Sequence, residues 1–564
     1  MGGCVSSDNV KNSALWAAYG DALGFISEFV KNSEVLERHV GVGRVVRPLS
    51  WRRRVGGRFG PEIALPAGCY SDDTQLRLAT SRAIQGDGSF DVEAFAKVEL
   101  PVWLSYALGA GKGSRAAASA LGRTEVTWST NFFSSGNSRY VDGGGNGAAM
   151  RVQPHVWASS SKRDAHELLA DVCRNAVVTH GHPRGILGAV FHALSLRLVM
   201  LRGEHLDVPA LREVIDWLPS VVGIFKADAA LGEVWLDMWE HATGASFERE
   251  IRRCVEEVVA DWEILARLVK AGVSDSYREA VLSLRGTDAT VRGSGAKTAL
   301  LAGYLAWQYR DDPQGGMVEA ANCFGSDTDT IATMAGALWG AVCGTPPPSE
   351  VMDWSYISAE ADRLASIARG EVALTFAYPD LLRWSPPKAQ IDAVGTAAGR
   401  TVLAGLGEAR FLGESAVSAD AHGEAEYRWL GLSFGQTVLV RHRTVLLELG
   451  AGMLPRAGVK MISRQKDLNV PGEQRALFGE PHLGHGGEKG QNPRAGARLR
   501  EERISGRRVS IDEAFNRVVG SNFDPELIGR FVLELSAGDE GIEQAVAFVA
   551  IVAKARRVRI RSPS

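Results

Sequence analysis

The sequence predicts an all-α region from about residue 10 to residue 387, followed by a smaller region of α+β or mixed structure. Apolar residues recur at helical spacing in long stretches before residue 387, and strand-like alternation is scarce there. After Pro386 and Pro387 the composition changes to β-prone runs with nearby glycines. Hydrophobic residues make up 45% of the chain, which is enough for a sizeable core.

The helices of the first region are predicted from apolar periodicity and from capping residues. Ser13 is expected to cap a helix that runs through 14–18, and Asp73 and Thr74 precede a second apolar helix. Further helices are predicted over residues 165–178, 185–201, 211–218, 251–269, 298–309 and 331–342.

The remainder of the chain is predicted to contain three further parts. Residues 400–478 form a small β-containing region, with β-prone runs at 436–440 and 444–447. A Gly-, His- and Arg-rich stretch over 479–510 is typical of a flexible linker. Helical patterns over 511–519 and 525–554 predict that residues 511–564 are a helical C-terminal segment, which ends in a basic tail.

Charge and cysteine usage exclude several classes of protein. The net charge of −3 gives no basic field for nucleic acid, which is expected only as a modified substrate. The six cysteines lack the CxxC spacing of zinc sites, so we expect a reducing, cytoplasmic location. No signal peptide or membrane span is expected, and the acylation-like start around Gly2 and Cys4 is expected to be a chance match.

The first motif with chemical meaning is Ser71-Asp72-Asp73-Thr74. Two adjacent carboxylates flanked by hydroxyls offer oxygen ligands that suit Mg²⁺, Mn²⁺ or Ca²⁺ and not zinc. The alternative is an ordinary helix N-cap, where Ser and Asp are favoured. Taken alone, this motif favours the cap.

A second motif of similar chemistry is Ser326-Asp327-Thr328-Asp329-Thr330, before a helix rich in small residues. Two such caps in one chain are improbable by chance. We therefore predict that the two motifs face each other across a site with two metal ions.

Three further motifs are candidates for substrate contacts. A glycine run from Gly143 to Gly147 leads into a helix-like segment, a pattern that favours anion or pyrophosphate binding. Gly20-Asp21-x-x-Gly24 precedes Glu28, and the two glycines indicate close packing of a helix. Thr179-His180-Gly181-His182 offers two histidines, for which a capping or satisfied histidine is the simpler interpretation.

Taken together and in this order, the motifs over about residues 13–344 resemble those of the ADP-ribosylglycohydrolase family. The resemblance implies a compact, orthogonal, all-α domain and a cleft with two divalent ions, Mg²⁺ or Mn²⁺, at its floor. It assigns the metal ligands to Ser71, Asp72, Asp73, Asp327, Asp329 and Thr330. It assigns catalysis to Glu28 and Asp73, and substrate binding to Asp72, Gly143, Gly144, Gly145, Asn146, Gly147, Met150 and His180.

The resemblance implies hydrolysis of the C1″ glycosidic bond of ADP-ribose on a modified protein side chain, nucleic acid or small molecule. The family's first metal motif usually begins with Thr, and Ser71 keeps the hydroxyl. Arginine-directed relatives carry an Asp-x-Gly motif near 108–115, where this chain has no carboxylate, so the acceptor stays open. The alternative is a catalytically weak ADP-ribose-binding module with a partner-binding C-terminal region. An enzyme acting on prenyl diphosphates lacks the expected aspartate spacing.

Overall fold

A computed structural model describes residues 6–56, 60–136, 138–272, 276–417, 425–456, 461–462, 509–521, 523–537 and 541–561. The described residues up to Ile462 form one compact unit, and those from Val509 onward form a second. The predicted linker over 479–510 and the acylation-like start lie almost wholly outside the described residues. The predicted boundaries at 387, 400 and 478 stay predictions.

The first unit begins with a helical part that contains two short hairpins. Its helices are α1 Ser7–Gly24, α2 Ser33–Val40, α3 Asp72–Ala83, α4 Val92–Ala94, α5 Leu100–Trp103, α6 Lys112–Leu121, α7 Gln153–Trp157, α8 Ala165–Val177, α9 Pro183–Arg202, α10 Val208–Trp217, α11 Val221–Ala227, α12 Leu236–Thr243, α13 Phe247–Ala271, α14 Ser276–Ser283, α15 Gly295–Gln308, α16 Pro313–Asn322, α17 Thr328–Gly340 and α18 Trp354–Ala368. The hairpins pair β1 Trp51–Arg54 with β2 Glu62–Leu65, and β3 Ser134–Ser135 with β4 Ser138–Arg139.

The predicted helical class is confirmed, with local differences. The first helix begins at Ser7 with Ser6 as its cap, so the prediction that Ser13 caps it is wrong. Ser13 instead lies inside the helix, where its hydroxyl donates to the Ala337 carbonyl oxygen at 2.7 Å. The β1–β2 hairpin was not predicted, because four-residue strands rich in arginine carry little apolar alternation.

Helices α1 and α17 pack at very short range because glycines line their contact. A Cβ atom on Gly20 would lie 2.4 Å from the Ala332 carbonyl oxygen, and one on Gly336 would lie 2.4 Å from the Trp16 carbonyl oxygen. Two backbones can approach this closely only where no side chain intervenes. This packing brings the end of α1 against the start of α17.

Replacing Gly24 by Ala tests this contact. The new Cβ would lie 2.4 Å from the Thr328 carbonyl oxygen and 2.5 Å from the Asp329 backbone. Since a backbone cannot yield like a side-chain tip, we expect a loss of about 1–3 kcal/mol in the free energy of unfolding by urea. Gly223→Ala in α11, where nothing lies within 4 Å, is the control and should lose no stability. Equal stability of the two variants would contradict the close approach.

Helix α9 is long and apolar enough to cross a membrane, although no such segment was expected. Within the first unit, however, 83% of the most apolar 18-residue stretch of this helix is buried. It packs against α8 and α15 and is a core helix of this unit.

A six-stranded sheet completes the first unit. In sheet order its strands are β10 Thr437–Arg443, β9 Ala425–Leu432, β8 Gly407–Val417, β7 Arg400–Leu403, β6 Val394–Ala397 and β11 Leu447–Glu448. The pairs are antiparallel except β11 with β6. A separate two-stranded pair joins β5 Ala373–Leu374 to β12 Met461–Ile462. The β-containing prediction is therefore confirmed, although the run at 444–447 contributes only the first residue of β11.

A buried ion pair connects the sheet to the helical part. The Arg82 guanidinium binds both Glu99 carboxylate oxygens, at 2.7 and 2.8 Å, and also donates to the Gln436 side chain at 2.7 Å. Tyr378 donates to the same Glu99 carboxylate at 2.7 Å. Because an unpaired buried charge is costly, these bonds hold the sheet firmly against α3.

The second unit is helical and has its own core. Its helices are α19 Ile511–Gly520, α20 Pro525–Leu535 and α21 Gly541–Arg561. Phe531 and Phe548 meet edge to face at the centre of this core. The single helix predicted over 525–554 is wrong, since α20 ends at Leu535 and α21 starts at Gly541.

Candidate active site

The two Asp-containing motifs lie at the starts of two helices that α1 brings together. Asp21 of α1 is fully buried, and its carboxylate accepts the Ser71 N–H at 2.9 Å and the Thr74 N–H at 2.8 Å. The Thr74 hydroxyl donates to the same carboxylate at 2.6 Å. Asp21 therefore fixes the first turn of α3 and the direction in which Asp72 and Asp73 project.

The second motif reaches the same place from α17. The Thr330 hydroxyl lies 3.4 Å from Asp73 Oδ1, which joins the two motifs directly. Asp327 occupies the N-cap position of α17, but its side chain makes no capping bond and instead accepts from the Asn146 side chain at 3.0 Å. The N-cap interpretation therefore does not account for Asp327, whereas Ser71 does cap α3 by accepting the Asp73 N–H at 3.2 Å.

Glu28 lies beside both motifs, in the turn that follows α1. Its side chain is 12% exposed, and its Oε2 is buried with no hydrogen-bond partner among the described residues. Burial raises the pKa of the Glu28 carboxyl well above its usual value, Arg53 opposes this rise, and Asp327 and Asp72 add to it. We call Glu28, Asp72, Asp73, Asp327 and Asp329 the carboxylate cluster.

Burial and mutual repulsion dominate the electrostatics of this cluster. Burial and the nearby Asp21 raise the pKa of Asp72 to about 8. The same two causes raise the pKa of Asp73 well above its usual value, and burial together with Glu28 and Asp73 does so for Asp329. Several carboxylates that each resist ionisation beside one another are a destabilising arrangement unless a cation compensates them.

The chemistry of the donors fits a hard divalent cation. All the candidate ligands present oxygen, and Asp73 Oδ2 is buried with no hydrogen-bond partner in the part of the chain that the structure describes. Within the described ranges, no three His, Cys, Asp or Glu side chains are already gathered as the ligands of one ion. The cluster thus offers the right donor atoms and an excess of negative charge, although its side chains do not surround a single point.

The glycine loop from Gly143 to Gly147 lies against α9 and α15. The Gly145 backbone bridges to Ser294, and the Gly295 N–H donates to the Gly144 carbonyl at 2.9 Å. The Gly143 and Gly144 N–H groups donate to the carbonyls of Tyr140 and Asp142, in the turn that precedes the loop. Those two N–H groups are therefore already used within the protein.

The segment after the loop is shorter than its sequence indicates. The predicted helix-like segment is a single 3₁₀ turn over Ala149–Arg151, so it contributes little helix dipole. Met150 is buried in this turn, which contacts α3.

Arg151 holds the loop to His180. The buried guanidinium donates to the Gly147 carbonyl at 3.1 Å and to the Thr179 hydroxyl at 2.9 Å. Thr179 in turn bonds His180 Nδ1 at 2.7 Å, and a Cβ atom on Gly147 would lie 2.9 Å from His180 Cε1. Burial, reinforced by Arg151, lowers the pKa of His180 to about 3, so the imidazole is neutral at ordinary pH.

The two histidines have different surroundings. His180 is buried against the loop, while His182 caps α9 by accepting the Arg184 N–H at 3.1 Å. The capping interpretation thus holds for His182. The segment 108–115, which lacks a carboxylate, does reach the site, because a Cβ atom on Gly109 would lie 2.9 Å from Asp72 Oδ1.

Three arginines at the site were not among the residues proposed from the sequence. Arg77 donates to the Thr74 hydroxyl at 2.7 Å, Arg151 anchors the loop, and Arg53 lies 3.7 Å from Glu28. The sequence could have indicated Arg77 as a site residue, because it follows Asp73 by one helical turn. No sequence pattern points to Arg53, because the hairpin that carries it is itself not evident from the sequence.

Comparisons with known proteins show what this chain is similar to. The family model described as ADP-ribosylglycohydrolase matches residues 6–371. An ADP-ribosyl-[dinitrogen reductase] glycohydrolase from Rhodospirillum rubrum is 29% identical over 184 residues, which are 32% of this chain and 55% of that protein. The match thus spans about half the length of this curated relative. A solved structure named ADP-ribosylglycohydrolase-related protein complex aligns with a TM-score of 0.41 at 20% identity, over 64% of this chain and 98% of that one.

Proposed function

Because this chain belongs to the ADP-ribosylglycohydrolase family, we propose that it hydrolyses the C1″ glycosidic bond of ADP-ribose attached to a modified target. The observation that carries the proposal is the meeting of Asp73 with Thr330, which joins two distant aspartate motifs beside the buried Glu28. Convergent carboxylates with shifted pKa values are typical of catalytic sites. A cytoplasmic location is part of the proposal, in keeping with six cysteines that lack the CxxC spacing of zinc sites.

Two divalent ions, Mg²⁺ or Mn²⁺, belong to the proposed site. The ligands would be the oxygen atoms of Ser71, Asp72, Asp73, Asp327, Asp329 and Thr330. Asp73 Oδ2, which has no hydrogen-bond partner among the described residues, and the repulsion among the carboxylates support this assignment. Bound there, the ions would neutralise the carboxylates and orient the hydroxyls of the ribose that carries the scissile bond.

The carboxylates of this chain would then carry out the chemistry at C1″. The bond from C1″ to the acceptor breaks through an oxocarbenium-like state, whose positive charge nearby carboxylates stabilise. Glu28 holds a water and accepts one of its protons as the oxygen adds to C1″. The acceptor leaves with the electron pair of the broken bond and takes up a proton.

The glycine loop and His180 would bind the rest of ADP-ribose. Because the Gly143 and Gly144 N–H groups are already used within the protein, pyrophosphate contacts would fall mainly to Gly145, Asn146 and Gly147. Neutral His180 lies against Gly147 without adding a charge that titrates near pH 7. Arg151 would hold the loop and His180 in fixed positions relative to each other.

Incubation of the purified full chain with ADP-ribosylated arginine peptide, serine peptide and nucleic acid tests the proposal. We expect release of free ADP-ribose, measured by chromatography, from at least one of them with Mg²⁺ or Mn²⁺. Prior treatment with a chelator should abolish the release, and restored metal should recover it. Tight binding of ADP-ribose with no release from any substrate would instead indicate a binding module. Release unaffected by the chelator would remove the metals from the proposal.

A further inference from the structure

The β1–β2 hairpin places one arginine inside the proposed site. Arg53 Nη2 lies 3.7 Å from Glu28 Oε2, and the Arg53 side chain is only 19% exposed. Its strand neighbours Arg52 and Arg54 are 65% and 55% exposed and pair with Glu62 instead. Alternation along the strand therefore directs only Arg53 towards the carboxylate cluster.

Aromatic rings hold the Arg53 guanidinium in this position. Its central carbon lies 4.3 Å from the ring centre of Phe25, 5.3 Å from that of Phe29 and 5.8 Å from that of Trp51. Cation–π contacts of this kind orient a guanidinium more than exposed ion pairs do. Arg53 is thus a positioned charge and not a mobile surface one.

A second cation lies near the same Phe29 ring. The Arg292 guanidinium carbon is 5.5 Å from the centre of that ring, and both arginines act electrostatically on Glu28. Phe29 itself is 60% exposed, so this group of side chains reaches the protein surface close to Glu28. A leaving acceptor next to Glu28 would therefore meet fixed positive charge.

We propose that Arg53 selects substrates in which ADP-ribose is linked through oxygen over those in which it is linked through a guanidinium. This inference rests on the proposed function, because it assumes that the scissile C1″ bond lies beside Glu28. A guanidinium acceptor carries a positive charge and is repelled by Arg53 at this range. An oxygen-linked acceptor gains negative charge as it departs, and the Arg53 guanidinium stabilises that charge.

The bonds balance as an ordinary hydrolysis. The C1″–O bond to the acceptor breaks, and both of its electrons stay on the acceptor oxygen beside Arg53. The water oxygen forms the new bond to C1″ and loses one proton to Glu28. The acceptor oxygen gains one proton from Glu28 or from solvent, so that the products are free ADP-ribose and the unmodified hydroxyl.

The test compares the cleavage of an ADP-ribosyl-serine peptide with that of an ADP-ribosyl-arginine peptide of otherwise equal sequence. We expect wild-type protein to prefer the serine peptide in kcat/KM by at least about tenfold, given the repulsion between two cations. Arg53→Gln should reduce that preference by about tenfold, and Arg53→Lys, which keeps the charge, should retain most of it. Arg52→Gln, which removes an exposed arginine from the same strand, should leave the preference unchanged.

A wild-type preference for the arginine peptide would overturn the inference, as would an unchanged preference in active Arg53→Gln protein. If Arg53→Gln does not fold, Arg53→Met keeps a side chain of similar length between the rings and has the same expected result. Cleavage of neither peptide by wild-type protein would count against the proposed function. In that case the affinities of the wild-type protein for the two peptides, measured by calorimetry, would test the role of Arg53 separately. Equal affinities for the two peptides would overturn that role.

Discussion

Replacing Glu28 by Gln is expected to lower the turnover of an ADP-ribosylated substrate by about 10²–10⁴, the usual contribution of general acid–base catalysis. The amide keeps the shape of the side chain and removes the group that accepts the proton of water. Glu28 Oε2 has no hydrogen-bond partner among the residues that the structure describes, so the substitution breaks none of the described hydrogen bonds of that atom. The affinity for ADP-ribose should therefore change only a few-fold.

A rate assay and an ADP-ribose titration on the same preparation separate the alternatives. Glu37→Gln in α2, an exposed position outside the cluster, is the matched control and should change neither quantity. Full activity of the Glu28 variant would remove this residue from the mechanism. A large loss of affinity would reassign it from catalysis to the structure of the binding site.

Replacing Asp327 by Asn is expected to remove most divalent-ion binding and most turnover while the fold survives. The change deletes one negative charge, and an amide oxygen can still accept the bond from Asn146. Asp327 makes no side-chain cap to α17, so the helix loses no capping bond. We expect the metal affinity to fall by more than the roughly 10–100-fold that follows loss of an outer-shell partner.

Calorimetric titration with Mg²⁺ and with Mn²⁺ measures this effect. Asp311→Asn makes the same charge change at an aspartate that is 89% exposed, and it should bind metal as the wild type does. Equal metal affinity of the Asp327 and Asp311 variants would contradict the assignment of Asp327 as a ligand. A lower melting temperature in the Asp327 variant alone would indicate a structural role.

Much of the architecture was predictable because it depends on neighbours along the chain. The helix predicted over 165–178 is observed as Ala165–Val177, and that predicted over 251–269 is observed as Phe247–Ala271. Apolar periodicity and capping act within one or two turns, so sequence alone reports them. Ser13 illustrates the limit, since its favourable capping chemistry is used for a bond to a residue 324 positions away.

The sequence by itself determined which chemical groups are present and, through two similar aspartate motifs, predicted that they belong to one site. Only the tertiary structure decided how they are supported: Asp21 orients the start of α3, Arg151 ties the glycine loop to Thr179, and Arg53 reaches Glu28 from an unpredicted hairpin. Asn146 and Asp327, which are 181 residues apart in the sequence, meet only in the folded unit. Local patterns cannot encode such pairs, because long-range contacts arise from the burial and packing of the whole unit.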